Sequence, residues 1–335
     1  MNANAAVGTA DEAILGPEAV DVVLGAAILA PSLHNSQPWT FALGRHHVEV
    51  YADASRQLRN ADPSGRSLLI SCGAAIFNLR VAAEHLGMRP RVRLLPDPAD
   101  PTLVAVVTVD RRHDRPGELG RYYPMLAARR TNRRPFRDRP IPQPVLATLG
   151  DAVGAEGGIL RAYDDPDEVG RIVDLLHDAN IADHTDPARV AECREWLGGH
   201  NGGDGVPSPP LCPEPMEPRA AFRDLGQAFA FPRDHAAFEP TPTVAILSTS
   251  HDQPVDWVRA GQALERLLLE ATAAGLSASF LNQPLEQDDL RWMVRSPLTG
   301  VGNSHMILRL GYGDPVPPTP RRPLLNVRRE PRFTT

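Results

Sequence analysis

The stretch RRTNRRPF, residues 129–136, concentrates positive charge in a short loop. It holds four arginines within six residues, around Thr131 and directly before Pro135. Such cations repel one another unless an anion lies among them. A solvated charged surface is one interpretation, but the spacing is not helical and Pro135 favours an extended chain. Because guanidinium groups bind phosphate oxygens in pairs, the stretch indicates a phosphate monoester site, with Thr131 as a further donor.

A second basic pair lies near the C-terminal end of the sequence. Arg321 and Arg322 stand in PPTPRRPL, residues 317–324, where four prolines exclude a regular helix. The pair is either a clamp that fastens the tail to the surface or a second set of guanidinium groups for the same phosphate.

The third stretch is APSLHNSQPW, residues 30–39, which holds Ser32, Asn35 and Gln37 between two prolines and ends on Trp39. A turn alone would account for these polar residues. A rigid polar loop can also present donors and acceptors to the edge of a flat heterocycle, of which isoalloxazine is an example.

These motifs together resemble those of a known family. APSLHNSQPW resembles the APSxxNxQPW signature of the FMN-dependent nitroreductases, and RRTNRRPF resembles their phosphate motif. ASFLNQPL, residues 278–285, resembles the segment whose backbone N–H approaches flavin N5. In ordinary members the phosphate motif comes first, and FMN binds at a homodimer interface. The inverted order resembles the Acg-type branch, in which two nitroreductase-like halves are fused in one chain.

The resemblance implies one composite FMN site in an α+β pseudo-dimer, with mixed and antiparallel sheets flanked by helices. The first half, residues 17–125, would cradle the ring, and the second, residues 126–335, would hold the phosphate. A lid, residues 196–240, would cover the site. Trp39 would hold the ring loop in shape, as would Gln37, which we also count among the cofactor-binding residues. Those residues are Pro31, Ser32, Leu33, Asn35 and Gln37 near the ring; Arg129, Arg130, Thr131 and Arg133 at the phosphate and ribityl end; Leu281, Asn282 and Gln283 near N5; and Arg321 and Arg322 as the basic pair.

The implied activity is two-electron transfer between NAD(P)H and a nitroaromatic, a quinone or a biosynthetic intermediate. The hard chemistry of such an enzyme belongs to the flavin, so no catalytic side chain and no metal is expected. An alternative is a flavin-binding or sequestering protein whose lid denies NAD(P)H access to the ring. The chain would act as a monomer or a homodimer.

The periodicity predicts the elements that position these motifs. Helices are expected over residues 17–29, 67–86, 116–130, 164–180 and 256–274, a hairpin turns at Gly44-Arg45, and strands cover 103–109, 243–250 and 305–312. Residues 198–218 are dense in glycine and proline, which favours a functional loop, interpreted as a flap, or a disordered segment.

An internal repeat relates two of these helices. Gly73 and Gly87 stand fourteen residues apart, as do Gly261 and Gly275, and apolar positions match between the two pairs. The repeat predicts two similar halves, each with one central helix that packs on a sheet.

Composition excludes several other classes. The chain has 335 residues and no lysine, which excludes a pyridoxal phosphate Schiff base and a Walker A loop. A net charge of −6 disfavours nucleic-acid binding through residues 129–139, and no window reads as a membrane span. An N-terminus without export features and three scattered cysteines favour the cytoplasm.

Other candidate residues have simpler interpretations. His46-His47 lies in the hairpin turn, and His251-Asp252 lacks a nucleophile motif that would make it catalytic. Cys72 is expected in the core, and Asp62 or Ser64 is expected to cap the following helix.

Overall fold

The computed structural model describes residues 15–110, 115–197, 203–207, 213–217, 219–225, 234–294 and 302–330. The α-helices of this part are α1 (Pro17–Ala27), α2 (Arg66–His85), α3 (Tyr123–Ala128), α4 (Gln143–Gly154), α5 (Pro166–Thr185), α6 (Pro187–Trp196), α7 (Pro254–Ala273) and α8 (Asp288–Met293). The strands are β1 (Trp39–Leu43), β2 (His47–Ala52), β3 (Arg89–Leu94), β4 (Leu103–Asp110), β5 (Ile159–Tyr163), β6 (Glu214–Pro215), β7 (His235–Ala236), β8 (Thr243–Thr249), β9 (Ser277–Phe280), β10 (Asn303–Gly311) and β11 (Arg328–Arg329).

Two sheets form the framework. The first has the order β11-β1-β2-β4-β3 and is antiparallel except for β11, which runs parallel to β1. The second has the order β5-β8-β10-β9 and is antiparallel throughout. The predicted α+β class with mixed and antiparallel sheets is confirmed.

The two predicted central helices pack against each other between the sheets. Helix α2 contacts strands of the first sheet, α7 contacts strands of the second, and the two helices make an extensive mutual contact. They approach most closely at Gly73 and Gly261, where a Cβ built on Gly73 would lie 2.9 Å from the Gly261 Cα. Only glycine on both sides allows this crossing, because real Cβ atoms do not approach so closely.

The second glycine of each predicted repeat also has one shared role. Gly87 follows α2 and Gly275 follows α7, and both have φ 74°, the left-handed conformation that glycine adopts without strain. The next residue in each case donates its N–H to a carbonyl inside the helix, Met88 to Ala83 and Leu276 to Ala271. The two halves thus end their central helices in the same way, although duplication itself stays a prediction.

The C-terminal tail ties the two halves together. Strand β11, which belongs to the predicted second half, pairs with β1 of the first sheet, with Arg328 opposite Phe41. The predicted boundary between residues 125 and 126 therefore does not separate the two sheets completely.

Several local predictions are confirmed, and one is only partly right. The Asp62 carboxylate caps α2 by accepting from the N–H groups of Ser67 and Leu68, both at 2.9 Å. Cys72 is fully buried. The helix predicted over residues 116–130 is a 3₁₀ turn, Glu118–Tyr122, followed by the short α3. A strand was expected after each central helix, and β3 and β9 lie there; no element was predicted for α4, α6 or β5.

Helix α2 is also long and apolar enough to cross a membrane by length and composition alone, contrary to the prediction that no window reads as a membrane span. However, 78% of its apolar window is buried inside the protein, as is common for the core helix of a globular fold.

Candidate functional site

A cavity of about 270 Å³ is lined by residues from both predicted halves. Its wall combines the ring loop (residues 30–39), the arginine loop (residues 129–136) and the C-terminal tail that contains residues 317–324. The N-terminal part of α2, the end of β9, strand β10 and three residues of the predicted lid also contribute. The lining residues are Leu29, Pro31, Ser32, Leu33, His34, Asn35, Ser67, Ile70, Ser71, Leu126, Ala127, Arg129, Arg130, Thr131, Arg133, Val206, Arg223, Leu225, Leu264, Phe280, Asn282, Met306, Pro318, Thr319 and Arg321.

The ring loop, residues 30–39, holds an unusual backbone conformation. Three non-glycine residues have positive φ: His34 at 48°, Asn35 at 55° and Gln37 at 49°. Such angles cost free energy and persist only where surrounding contacts hold them. The loop supplies one such contact itself, because the Ser32 Oγ accepts the Gln37 N–H at 2.9 Å.

The two amides of this loop fasten the lid and the tail. The Asn35 Nδ2 donates to the carbonyls of Gly205 and Pro320 at 2.9 and 3.1 Å. The Gln37 Nε2 donates to Gly203 O at 2.8 Å, and its Oε1 accepts the Arg322 N–H at 2.9 Å. These side chains therefore shape the walls of the cavity, and their amide groups are already engaged.

In the arginine loop, Arg129 carries donors that nothing in the described structure uses. Its side chain is buried, and its Nη2 donates to Leu29 O at 3.2 Å. Its Nε and Nη1 have no hydrogen-bond partner among the described residues. Arg130 lies next to it and donates to the Arg129 carbonyl at 2.7 Å.

Beside Arg129, the tail contributes one guanidinium group to the wall. Arg321 donates to the carbonyls of Ile28, Leu29 and Ala30 at 2.8, 3.0 and 3.3 Å. Burial, and then the neighbouring charge of Arg129, lowers the pKa of Arg321 to about 9. Arg321 therefore joins the tail to the end of α1 and adds positive charge at the same end of the cavity as Arg129.

His34 also lines the cavity, close to a group of cations. Both its ring nitrogens are buried without a hydrogen-bond partner in the described part of the chain. Burial, together with the charges of Arg223, Arg133 and Arg189, holds the pKa of His34 well below its usual range. The imidazole is therefore neutral at physiological pH and can donate from one nitrogen and accept at the other.

Two relatives from Mycobacterium tuberculosis strain H37Rv, each named "Putative NAD(P)H nitroreductase", match nearly the whole chain. Rv3131 is 33% identical over 319 residues, which cover 92% of this chain and 91% of the relative. This chain belongs to the nitroreductase family. The second relative, acg, is 30% identical over 319 residues, which cover 91% of this chain and 94% of the relative.

Two further comparisons complete this result. No family model matches the chain. A crystal structure of a nitroreductase with bound FMN from Bacteroides fragilis NCTC 9343 aligns with a TM-score of 0.35 and 17% identity, over 58% of this chain and 88% of that chain. The assignment to the nitroreductase family rests on the two mycobacterial relatives and confirms the family predicted from the motifs.

Most of the residues predicted from the nitroreductase motifs meet at the cavity. Those in its wall are Pro31, Ser32, Leu33, Asn35, Arg129, Arg130, Thr131, Arg133, Asn282 and Arg321. The structure thus joins the ring loop and the arginine loop, which are about a hundred residues apart in the sequence.

Four predicted residues are not among the lining residues: Gln37, Leu281, Gln283 and Arg322. The Leu281 N–H donates to Ile307 O at 2.8 Å, so sheet pairing takes the donor expected near N5. The Gln283 amide is fully buried and donates to Asn180 Oδ1 and Phe222 O. Arg322 donates to Gln37 O at 3.2 Å and to Asn326 O, and so stiffens the tail.

The motifs did not single out several lining residues. His34 occupies a variable position of the ring-loop signature, and Ser67, Ser71 and Met306 belong to regular elements. Arg223 reaches the wall from the lid, where its guanidinium pairs with Glu286 at 2.7 Å. The basic and polar types of His34 and Arg223 were the only available signal, and nothing local placed them at the cavity.

The described parts of the predicted lid bear on the site. Residues 203–207 lie on the ring loop through Gly203 and Gly205, and Asp204 pairs with Arg56 at 2.6 Å. Val206, Arg223 and Leu225 line the cavity. Residues 198–202, 208–212, 218 and 226–233 of the lid lie outside the described residues.

We expect Gln37→Leu to loosen this contact between lid and ring loop. The change leaves the Gly203 carbonyl and the Arg322 N–H without their amide partner, which should lower the free energy of unfolding by roughly 1–3 kcal/mol. Limited proteolysis should cut near residues 203–207 faster than in the parent protein. The control is Gln143→Leu, at an exposed position of α4; equal cleavage rates in both variants would contradict the expectation.

Proposed function

We propose that this protein is an FMN-dependent oxidoreductase that transfers two electrons between NAD(P)H and a small acceptor, such as a nitroaromatic, a quinone or a biosynthetic intermediate. The names of the mycobacterial relatives support this reaction class. The observation that carries the proposal is the cavity itself, which brings the ring loop of one half to the arginine loop of the other.

The residues at one end of the cavity fit the phosphate of FMN. The buried Arg129 has two donor nitrogens without a hydrogen-bond partner in the described part of the chain, and Arg130, Thr131, Arg133 and Arg321 also line the cavity. Charge-assisted bonds of this kind contribute roughly 1.5–3 kcal/mol each. Arg129 and Arg130 would hold the phosphate, while Arg321 adds positive potential from the tail.

The other end of the cavity fits a flat heterocycle. Pro31 and Leu33 from the ring loop, and Ile70, Phe280 and Met306 from regular elements, offer apolar surface. Ser32, Ser71 and Asn282 offer hydroxyl and amide groups among them. Such a wall can exclude water from a bound ring and hold its polar edge.

FMN, when bound, supplies the two-electron chemistry. The protein has to bind it, orient it and control which molecules reach it. The strained ring loop is held rigid by the Asn35 and Gln37 amides, so its wall of the cavity is formed before any ligand binds. No side chain of the chain is assigned a catalytic role.

One observation favours a second function, storage or sequestration of flavin. The lid residues 203–207 are fastened to the ring loop, and Val206, Arg223 and Leu225 complete the wall. A lid held this firmly would slow the entry of a nicotinamide. The same FMN site serves both functions, so access to the ring distinguishes them.

Anaerobic mixing of the FMN-loaded protein with NADH or NADPH tests the two functions. Rapid bleaching of the yellow colour is the expected result for the oxidoreductase, and persistent colour would indicate sequestration. The Gln37→Leu variant sharpens the test, because a lid-limited reduction should become faster when the lid is loosened. A preparation that neither is yellow nor binds added FMN would contradict both functions.

A further inference from the structure

Glu265 is a buried carboxylate that the fold does not explain. It lies within the central helix α7, and its side chain is fully buried. Neither of its oxygens makes a hydrogen bond of normal geometry within the described structure. A buried ionised carboxylate is costly without such partners, so its presence needs a cation or another purpose.

The cation that it faces is Arg129. The Arg129 Nε lies 3.8 Å from the Glu265 Oε1, which is ion-pair distance but too long for a hydrogen bond. Arg129 also lines the FMN cavity, and its Nη1 has no partner in the described structure. One guanidinium group therefore stands between a buried carboxylate and the cavity, with its donors committed to neither.

Three side chains lie close enough to affect the pKa of Glu265. Burial raises the pKa of Glu265 to about 7. The charges of Arg129 and of Arg321 in the tail oppose this rise, as does the side-chain amide of Asn78 in α2. The positive charge of Arg130 also lowers the pKa of Arg321. Two guanidinium groups, those of Arg129 and Arg321, thus act on one internal carboxylate, and both residues line the cavity.

A phosphate dianion at this end would compete with Glu265 for Arg129. The Arg129 donors would turn to the phosphate oxygens. The negative charge of the phosphate would also make an ionised Glu265 less favourable. Uptake of one proton from solvent would relieve that repulsion.

We propose that Glu265 is the internal counter-ion that Arg129 exchanges for the phosphate of the cofactor, so that phosphate binding draws a proton onto Glu265. This inference rests on the proposed function, because it takes FMN as the ligand. Glu265 acts as a positioning residue and does not touch the cofactor.

The exchange predicts the sign of a pH effect. Below about pH 7 Glu265 is already protonated in the free protein, so binding takes up little. Above it, the free protein must gain the proton, and FMN affinity should fall by up to about tenfold per pH unit. The FMN phosphate titrates near pH 6, and burial lowers the pKa of Arg321 to about 9, so the comparison with a Glu265→Gln variant, which keeps Arg321, separates the two groups over pH 7.0–8.5.

Calorimetric titration of the apoprotein with FMN at pH 8.0, in Tris and in HEPES, tests the exchange. Phosphate buffers are avoided because they would compete. The difference in heat between the two buffers reports proton uptake, which should be close to one per FMN. The infrared difference spectrum of binding should gain a protonated carboxyl band, which shows that the proton acceptor is a carboxyl group; loss of this band in Glu265→Gln would assign it to Glu265.

Glu265→Gln should bind FMN with no proton uptake and with a Kd that stays constant from pH 7.0 to 8.5. The parent protein and the control Glu195→Gln, an exposed position on α6, should both weaken by roughly tenfold over that range. FMN binding by the parent protein without proton uptake would overturn this inference alone. Failure of the parent protein to bind FMN would instead overturn the proposed function.

Discussion

The Arg129→Ala variant should bind FMN roughly a hundredfold to ten-thousandfold more weakly than the parent protein. Arg129 offers two unused donors at the cavity, and each charge-assisted bond to a phosphate is worth roughly 1.5–3 kcal/mol. The loss of two such bonds converts to that range of affinity. Quenching of FMN fluorescence during titration measures it directly.

Folding and binding can be separated in the same variant. Removal of Arg129 leaves Glu265 without its cation, but burial raises the pKa of Glu265 to about 7, so the carboxyl can protonate near neutral pH. The apoprotein should therefore fold, while the rise in Tm on adding FMN should largely disappear. Arg93→Ala removes the same charge from an exposed position of the edge strand β3 and should leave the Kd unchanged. A threefold effect or less in Arg129→Ala would mean that the arginine loop does not hold the phosphate.

Gly73→Ala and Gly261→Ala should each destabilise the protein by roughly 3 kcal/mol or more, at the upper end of the cost of overpacking. A Cβ on Gly73 would lie within 3.0 Å of the Val258 carbonyl carbon, and one on Gly261 within 2.8 Å of the Ile70 carbonyl carbon and the Gly73 Cα. These neighbours are backbone atoms of the opposing helix, so α2 and α7 would have to move apart. Urea unfolding, followed by circular dichroism, measures the loss.

The sign of the effect distinguishes the crossing from ordinary helix propensity. In a helix interior without crowding, Gly→Ala stabilises by roughly 0.5–1 kcal/mol. Gly150 in α4 and Gly170 in α5 have nothing within 4 Å of a built Cβ, so their alanine variants should gain that amount. If the crossing variants were as stable as these controls, the close approach of the central helices would be wrong.

The elements with strong hydrophobic periodicity, or with clear turn residues at their ends, could be predicted from the sequence. The hairpin of β1 and β2, the buried strands β4 and β8 and the central helices α2 and α7 all lie close to their predicted positions. Helix α4 and the edge strand β5 were not predicted. Their half-exposed patterns carry little signal, and β8, the pairing partner of β5, lies far along the chain.

The residues of the candidate site also differ in how far the sequence could predict their roles. Residues in dense motifs, such as the arginine loop, were found because four cations in six residues need an anion. Gln37 and Arg322 come from equally clear motifs but hold walls in place instead of lining the cavity. Their type indicates that they make hydrogen bonds, and only the folded chain shows to which partner.

By itself, then, the sequence determined the family, the two complementary motifs and the glycines that let two helices cross. It did so because charge density, turn chemistry and the lack of a Cβ act locally and can be seen in short stretches. Tertiary structure alone decided which side chains keep polar atoms without a partner among the described residues. Both ring nitrogens of His34 and the Nε and Nη1 of Arg129 have none, whereas the Asn35 amide is bonded to Gly205, 170 residues away. It also set Glu265 behind Arg129, because burial and electrostatic pairing depend on distances between segments that are remote along the chain.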